Sequence, residues 1–202
     1  IDTREDEVRR LQELERQQEA RAIIEVEGEG DRQYLTGLYM GGKHVLIALD
    51  ASASMLAESI VNVLRRRHMS EERKLASPKW QRALATVSWL TAQIPVESHV
   101  QIVTFNTELK TAFQNEDWVA AIDADRIDTA IEGLSEKTPE NGTNLLILFD
   151  HIATMDPRPD NVFLIIDSLP TQSSRAPRKA VVTGQKRFEY FRDAVEELPK
   201  GI

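Results

Sequence analysis

Cysteine is absent from the 202 residues of this chain, and its absence excludes several kinds of chemistry. Without cysteine there are no disulfide bonds, no cysteine nucleophile and no zinc site built on thiolates. The histidines do not replace it, because they are scattered without the spacing of a metal site: His44, His68, His99 and His151. We therefore expect surface or packing roles for the histidines rather than catalysis.

Long apolar stretches are also missing. No run approaches the roughly 20 residues that a membrane-spanning helix needs, and no signal-peptide pattern is present. The first residue is Ile1 rather than methionine, so we expect the chain to be a fragment of a longer protein. The absence of a membrane-spanning run and of a signal peptide from this chain therefore says little about the parent protein.

Basic surface is scarce as well, since the formal net charge is −8. Residues 1–31 contain eleven acidic residues and five arginines, which puts −6 on this segment and leaves −2 for the other residues. A nearly neutral domain lacks the large basic face that nucleic-acid binding requires. We therefore expect no nucleic-acid partner.

The charged first segment has the pattern of an exposed helix. Asp2 and Glu5 have the spacing of a capping box, and the thin apolar stripe that follows stops within the first half of the segment. This favours a solvated linker or stalk helix over residues 1–30 rather than a dimerising coiled coil. A strand is expected over residues 33–40, joined through a Gly-Gly hairpin to the next strand.

Predicted strands and helices alternate along residues 31–202, which we expect to form one domain. Apolar runs typical of strands cover residues 44–50, 99–105, 108–113 and 161–167. Helical spacing covers residues 56–64, 77–94, 123–134, 144–155 and 185–198. Such alternation predicts an α/β fold with a doubly wound, mostly parallel, Rossmann-like sheet flanked by helices.

The strand at residues 44–50 runs directly into a set of oxygen-bearing side chains. The strand has the sequence HVLIALD and ends in Asp50. The next residues, ASASM, contain Ser52 and Ser54. An apolar run this continuous suits a strand that is buried on both faces. A carboxylate and two hydroxyls on the following turn are hard oxygen ligands of the kind that Mg²⁺ prefers.

Two matching pieces follow in the chain. Thr143 lies in the segment NGTN just before a helical pattern, and Asp167 ends the strand NVFLIID before Ser-Leu-Pro-Thr. Ligands of doubly wound sheets bind beyond the carboxyl ends of the strands, where Asp50 and Asp167 are both expected. We therefore expect the Asp167 carboxylate to lie near the turn that carries Asp50, Ser52 and Ser54.

The order of these pieces resembles a known family. Asp-x-Ser-x-Ser, then Gly-Thr, then a strand ending in Asp-x-x-Pro-Thr is similar to the metal-ion-dependent adhesion site of the von Willebrand factor type A domain family. The resemblance covers residues 42–202. One departure is Ser168, which stands where the family usually has a glycine after the aspartate, and glycine adopts positive φ more easily than serine.

The resemblance implies a role for each candidate residue. Ser52, Ser54 and Thr143 would be direct hydroxyl ligands of Mg²⁺, with Mn²⁺ or Ca²⁺ as alternatives. Asp50 and Asp167 would act mainly through coordinated waters. The family uses the open coordination position to bind an Asp or Glu of a protein ligand, so an acidic protein partner is expected here.

A second likeness concerns the setting of the domain. The stretch from residue 28 through the adhesion-site motif resembles bacterial proteins in which a membrane anchor and a charged helix precede an extracytoplasmic type A domain. This implies a membrane-tethered parent protein with the domain on the periplasmic side of the inner membrane. A member of the type A family would also normally have another strand and a final helix after residue 202, so we expect either that the parent protein continues or that this copy lacks that edge of the sheet.

Other interpretations stay open at this point. Asp50, Ser52 and Ser54 could cap the helix that follows them, and Thr143 could cap the helix that begins at Asn144. A structural domain of this family could also carry a vestigial metal site.

Enzymes are a further alternative. The glycine-rich motifs of dinucleotide sites and P-loops, and the serine-hydrolase elbow, are absent at the required positions. A haloacid-dehalogenase-type phosphohydrolase also has an aspartate after its first strand, but Ser52 stands where that enzyme needs its second aspartate. We therefore expect a non-enzymatic binding module.

Overall fold

A computed structural model of the chain describes residues 41–113, 118–174, 177 and 182–198. The chain divides into two units, Ile1–Tyr39 and Met40–Ile202, and the described residues all belong to the second. The charged helix predicted over residues 1–30 and the strand predicted over residues 33–40 lie outside the described residues.

In the described part of the chain, five strands form one mixed sheet: β1 (His44–Asp50), β2 (His99–Phe105), β3 (Leu109–Thr111), β4 (Val119–Ala120) and β5 (Asn161–Ile165). The order across the sheet is β3-β2-β1-β5, with β4 also paired to β2. β1 is parallel to both β2 and β5, whereas the short strands β3 and β4 are antiparallel to β2. The predicted α/β class is confirmed, and the parallel pairing that was expected holds for the three longest strands.

Helices flank the sheet: a 3₁₀-helix (Ala53–Leu56), α1 (Ile60–Arg66), α2 (Glu71–Leu75), α3 (Pro78–Gln93), α4 (Ala124–Ser135), α5 (Leu145–Thr154) and α6 (Gly184–Glu196). The last four lie within two residues of their predicted ends. The helix predicted over residues 56–64 begins later, at Ile60, because the side chain of Ser59 accepts a hydrogen bond from the amide of Asn62 at 3.4 Å. Residues 70–76, for which no helix was predicted, contain α2.

Strand β1 lies between two hydrophobic layers. Val45, Ile47 and Leu49 face the layer that contains α3 and α4, while Leu46 and Ala48 face the layer that contains α5 and α6. All five side chains are fully buried, which confirms the predicted burial on both faces. Burying a large aliphatic side chain stabilises a fold by roughly 1.5–3 kcal/mol, so the end of this strand is firmly positioned.

The carboxyl ends of the parallel strands meet at one edge of the sheet. Asp50 is paired with Phe105 of β2, and Ile165 of β5 is paired with the residue before Asp50. The segment before α5 is attached to the same edge, since the amide of Asn144 donates to the carbonyl of Asn106 at 3.0 Å. The loops that carry the candidate residues therefore start side by side.

Candidate metal centre

The five candidate residues lie together at this edge, and their side chains form an unbroken series of contacts. Thr143 Oγ1 is 3.0 Å from Asp50 Oδ2 and 2.9 Å from Ser52 Oγ. Ser52 Oγ is 2.8 Å from Ser54 Oγ, and the Ser54 hydroxyl donates to Asp167 Oδ1 at 2.9 Å. A continuous chain of oxygen atoms thus joins Asp50 to Asp167 through three hydroxyls.

This oxygen chain has more acceptors than protons. It contains four oxygen–oxygen contacts, but each of the three hydroxyls has only one proton to donate. With Asp50 and Asp167 both ionised, one contact therefore lacks a hydrogen. Either a proton on a carboxylate or a bound cation would remove this deficit, and the chemistry of the side chains consequently fits a hard divalent cation.

Asp50 is the most strongly perturbed group of the cluster. Its side chain is completely buried, and this desolvation raises its pKa to about 6. Hydrogen bonds from the Ser52 amide at 2.7 Å and from the Ser52 and Thr143 side chains lower the pKa in part, whereas the charge of Asp167 raises it slightly. No described cationic side chain forms an ion pair with Asp50, so its ionised form has no fixed counter-charge.

Helix capping does not explain the serines and the threonine. Ser52 occupies the position before the 3₁₀-helix, but its side chain makes no capping hydrogen bond. The cap of α5 is Asn144, whose side chain accepts from the amide of Leu146 at 3.1 Å. The capping interpretation is therefore wrong for Ser52 and Thr143. Asp50 does not cap an α-helix either, since the next one is capped by Ser59, but its carboxylate accepts from the Ser52 amide and so stabilises the turn after β1.

Thr171 positions Thr143, and this role was not predicted. The hydroxyl of Thr171 accepts from the amide of Thr143 at 3.1 Å, and the carbonyl of Thr143 accepts from the amides of Thr171 and Gln172 at 2.9 and 3.0 Å. The loop after β5 thus fixes the backbone on both sides of the Thr143 side chain. Although Thr171 belongs to the quoted motif, nothing in the local pattern shows which backbone atoms it would reach.

Ser168 does not disturb the loop that carries Asp167. Among the described residues, Asn141 is the only non-glycine residue with a positive φ. The position after Asp167 therefore does not need the conformation that favours glycine. The departure from the family pattern leaves the Asp167 carboxylate within hydrogen-bonding distance of Ser54.

Gly142 is required by a close approach rather than by its backbone conformation. A Cβ atom at this position would lie 2.5 Å from Thr171 Oγ1 and 2.9 Å from Gln172 Cγ. We expect Gly142→Ala to push the Thr171 loop away, lower the free energy of unfolding by about 1–3 kcal/mol and weaken any metal binding that depends on Thr143. Urea unfolding and metal titration measure the two effects.

Gly133 is the matched control for this substitution. It lies in α4, and a Cβ atom there would meet nothing within 4 Å. Since alanine is favoured over glycine inside a helix by about 1 kcal/mol, Gly133→Ala should raise the free energy of unfolding and leave metal binding unchanged. Equal behaviour of the two variants would contradict the role assigned to the Gly142 contact.

Lys79 is a second residue at the site that the sequence did not reveal. It lies in the first turn of α3, and its Nζ atom is 2.5 Å from Asp167 Oδ2. The two residues are 88 positions apart in the sequence. Only the packing of α3 against the loops brings them together, so no local signal could have found this pair.

The cluster differs from metal sites built on charged ligands and imidazoles. Within the described ranges, no group of three or more His, Cys, Asp or Glu side chains is arranged to hold a metal ion. The candidate site has two carboxylates, so most of its ligands would have to be hydroxyl oxygens.

Comparisons with known proteins do not identify the chain. It matches no protein-family model, and a search of curated proteins gives no match. In the part of the chain that the structure describes, no helix has the length and apolar character needed to cross a membrane.

Proposed function

We propose that residues 41–198 form a metal-dependent protein-binding module similar to a von Willebrand factor type A domain. The observation that carries the proposal is the continuous contact of five side chains drawn from three separate segments at one edge of the sheet. Their order in the chain, their oxygen chemistry and their position after parallel strands all agree with such a site.

The residues would divide their roles by charge. The neutral hydroxyls of Ser52, Ser54 and Thr143 would hold Mg²⁺ directly, and Asp50 and Asp167 would act mainly through waters. The bound cation would supply an electrophilic open position for a carboxylate. Because the direct ligands are neutral and the carboxylates act through waters, the cation would stay more electrophilic than with carboxylates as direct ligands. An Asp or Glu of a partner protein would therefore be attracted to its open position.

The wider setting is part of the same proposal. A binding module needs no proton-transfer residue, and Ser52 occupies the position where an aspartate phosphatase would need its acid and base. We propose a non-enzymatic role in an extracytoplasmic, membrane-tethered parent protein. Its partner presents an acidic residue.

Loss of a single hydroxyl group should weaken the binding of Mg²⁺ without unfolding the domain. We expect Ser52→Ala and Thr143→Val each to lower the affinity for Mg²⁺ by at least about tenfold, measured by isothermal titration of the chelator-stripped protein. Ser98→Ala is the matched control, since Ser98 is a buried serine at the opposite edge, where its hydroxyl donates to the carbonyl of Gly42. Equal losses in all three variants would contradict direct ligation.

A pair of peptides tests the binding function itself. The probes are two short peptides that differ only in one residue, Glu in the first and Gln in the second. Backbone NMR signals of Ser54 and Thr143 should shift with the Glu peptide in Mg²⁺, and should not shift with the Gln peptide or after chelation. Shifts that persist without metal would overturn the proposed mode of binding, and metal binding without any shift on addition of the Glu peptide would count against the protein-binding role.

A further inference from the structure

Lys79 is an internal cation in direct contact with the candidate site. Its Nζ atom donates to Asp167 Oδ2 at 2.5 Å, to the carbonyl of Ser54 at 3.1 Å and to the carbonyl of Ala57 at 3.3 Å. An ammonium group has three protons, so each of them has an acceptor. The Lys79 and Asp167 side chains are both only 14% exposed, which limits the screening of this ion pair by water.

The position of Lys79 is fixed from several directions. Pro78 starts α3, and Lys79 follows it in the first turn, facing the loop after β1. Arg82, one turn later, forms an ion pair with Glu58, whose carboxylate is also 3.7 Å from Lys79 Nζ. Lys79 therefore joins three segments, namely the loop after β1, the residues that precede α1 and the loop after β5.

Asp167 is shared between this lysine and the oxygen chain. One carboxylate oxygen accepts from Ser54 and the other accepts from Lys79. The ionised cluster of Asp50 and Asp167 carries −2, and Lys79 reduces this to −1. A fixed positive charge within a few ångströms opposes the arrival of a divalent cation, and it does so more strongly in a poorly solvated place.

We propose that Lys79 is a built-in counter-cation that holds Asp167 in place in the metal-free protein and lowers the affinity of the site for divalent cations. The inference rests on the proposed metal site and adds a residue that sets its strength. A lysine in this place keeps the loops assembled before metal arrives. It also leaves the loaded site more positive, and therefore more attractive to an anionic ligand.

Neutral substitutions of Lys79 separate this role from a merely structural one. We expect Lys79→Met to lower the melting temperature of the metal-free protein and to raise the affinity for Mg²⁺ on the order of tenfold. Lys79→Gln keeps a hydrogen-bond donor without the charge and should give the same direction of change. A lysine that only supports the fold would instead make both variants bind metal more weakly.

Arg192→Met provides the control for the loss of a cation elsewhere in the domain. Arg192 lies in the second half of α6, where it pairs with Asp193 and Glu196, and it makes no described contact with Asp167. Its loss should leave the Mg²⁺ affinity unchanged in an isothermal titration, so any gain specific to Lys79 reflects its place beside Asp167.

The titrations distinguish failure of the inference from failure of the metal site. The inference is supported if both Lys79 variants bind Mg²⁺ more tightly than the unsubstituted protein. It is also supported if the variants bind Mg²⁺ and the unsubstituted protein binds none. Unchanged or weaker binding by the variants, with a measurable affinity in the unsubstituted protein, overturns the inference alone. No binding of Mg²⁺ or Mn²⁺ by any of the proteins overturns both the inference and the metal site.

Discussion

Asp50→Ala is expected to abolish saturable binding of Mg²⁺ while the domain stays folded. Asp50 anchors one end of the oxygen chain and holds the amide of Ser52 at 2.7 Å. Its removal takes away a carboxylate and releases the turn that carries Ser52, so the ligands lose both charge and alignment. Isothermal titration of Mg²⁺ and Mn²⁺ into the chelator-stripped variant measures the loss.

The stability of the metal-free variant should change little, because two effects oppose each other. Leaving the Ser52 amide unpaired costs about 1–3 kcal/mol. Removing a buried carboxylate whose pKa is about 6 relieves an ionisation penalty of about 3 kcal/mol at neutral pH. We therefore expect the free energy of unfolding to stay within about 2 kcal/mol of the original value.

Asp160→Ala is the matched control, because the Asp160 carboxylate also accepts hydrogen bonds from backbone amides. Asp160 accepts from the amides of Lys43 and His44 at 2.7 and 3.1 Å, at the opposite edge of the sheet. Its loss should lower stability and leave Mg²⁺ affinity unchanged. If Asp50→Ala also kept its metal affinity, Asp50 would not belong to a metal site.

The contribution of Asp50 to the stability of the metal-free protein should fall as the pH rises from about 4 to about 6. Burial raises the pKa of Asp50 from 3.8 to about 6 in the folded state. Between these values the folded state binds more protons than the unfolded chain, so the free energy of unfolding falls with increasing pH. The full stabilisation is present below pH 3.8, and about 3 kcal/mol of it is lost once the pH exceeds 6.

Asp50→Asn isolates this contribution from those of the other titrating groups. The difference between the unfolding curves of the two proteins, measured in urea from pH 4 to pH 7, should carry the whole slope assigned to Asp50. Saturating Mg²⁺ should offset the loss above pH 6, because a cation favours the ionised carboxylate. The opposite result would be a free energy of unfolding that rises with pH relative to that of Asp50→Asn. It would show that the fold favours the ionised form of the Asp50 carboxylate.

The sequence was sufficient to predict β1 and the residue at its end. Val45 to Leu49 form a continuous apolar run, and a run of this length is typical of a strand that is buried on both faces. The short strand β4 was missed because two residues, Val119 and Ala120, are too few to show a period. The start of α1 was misplaced because the 3₁₀-helix ends at Leu56 and Ser59 caps a new helix, which hydrophobic spacing does not reveal.

The same contrast holds for the site. Asp50, Thr143 and Asp167 could be predicted because each follows or precedes a recognisable element whose end lies at a known edge of the sheet. Thr171 is part of the quoted motif, but its contacts with Thr143 could not be predicted, and neither could the place of Lys79. Both depend on how distant segments pack. Contacts made by long-range packing of this kind are not visible in a local pattern, and here they include those that position Thr143 and Asp167.

The most direct test of the metal site is the anomalous scattering of Mn²⁺ in crystals of the chelator-stripped protein soaked in that ion. We expect one strong anomalous peak within coordination distance of the hydroxyls of Ser52, Ser54 and Thr143, and no such peak in crystals of Asp50→Ala. A peak elsewhere, or none at these hydroxyls in well-ordered crystals, would contradict the assignment of this cluster as a metal centre.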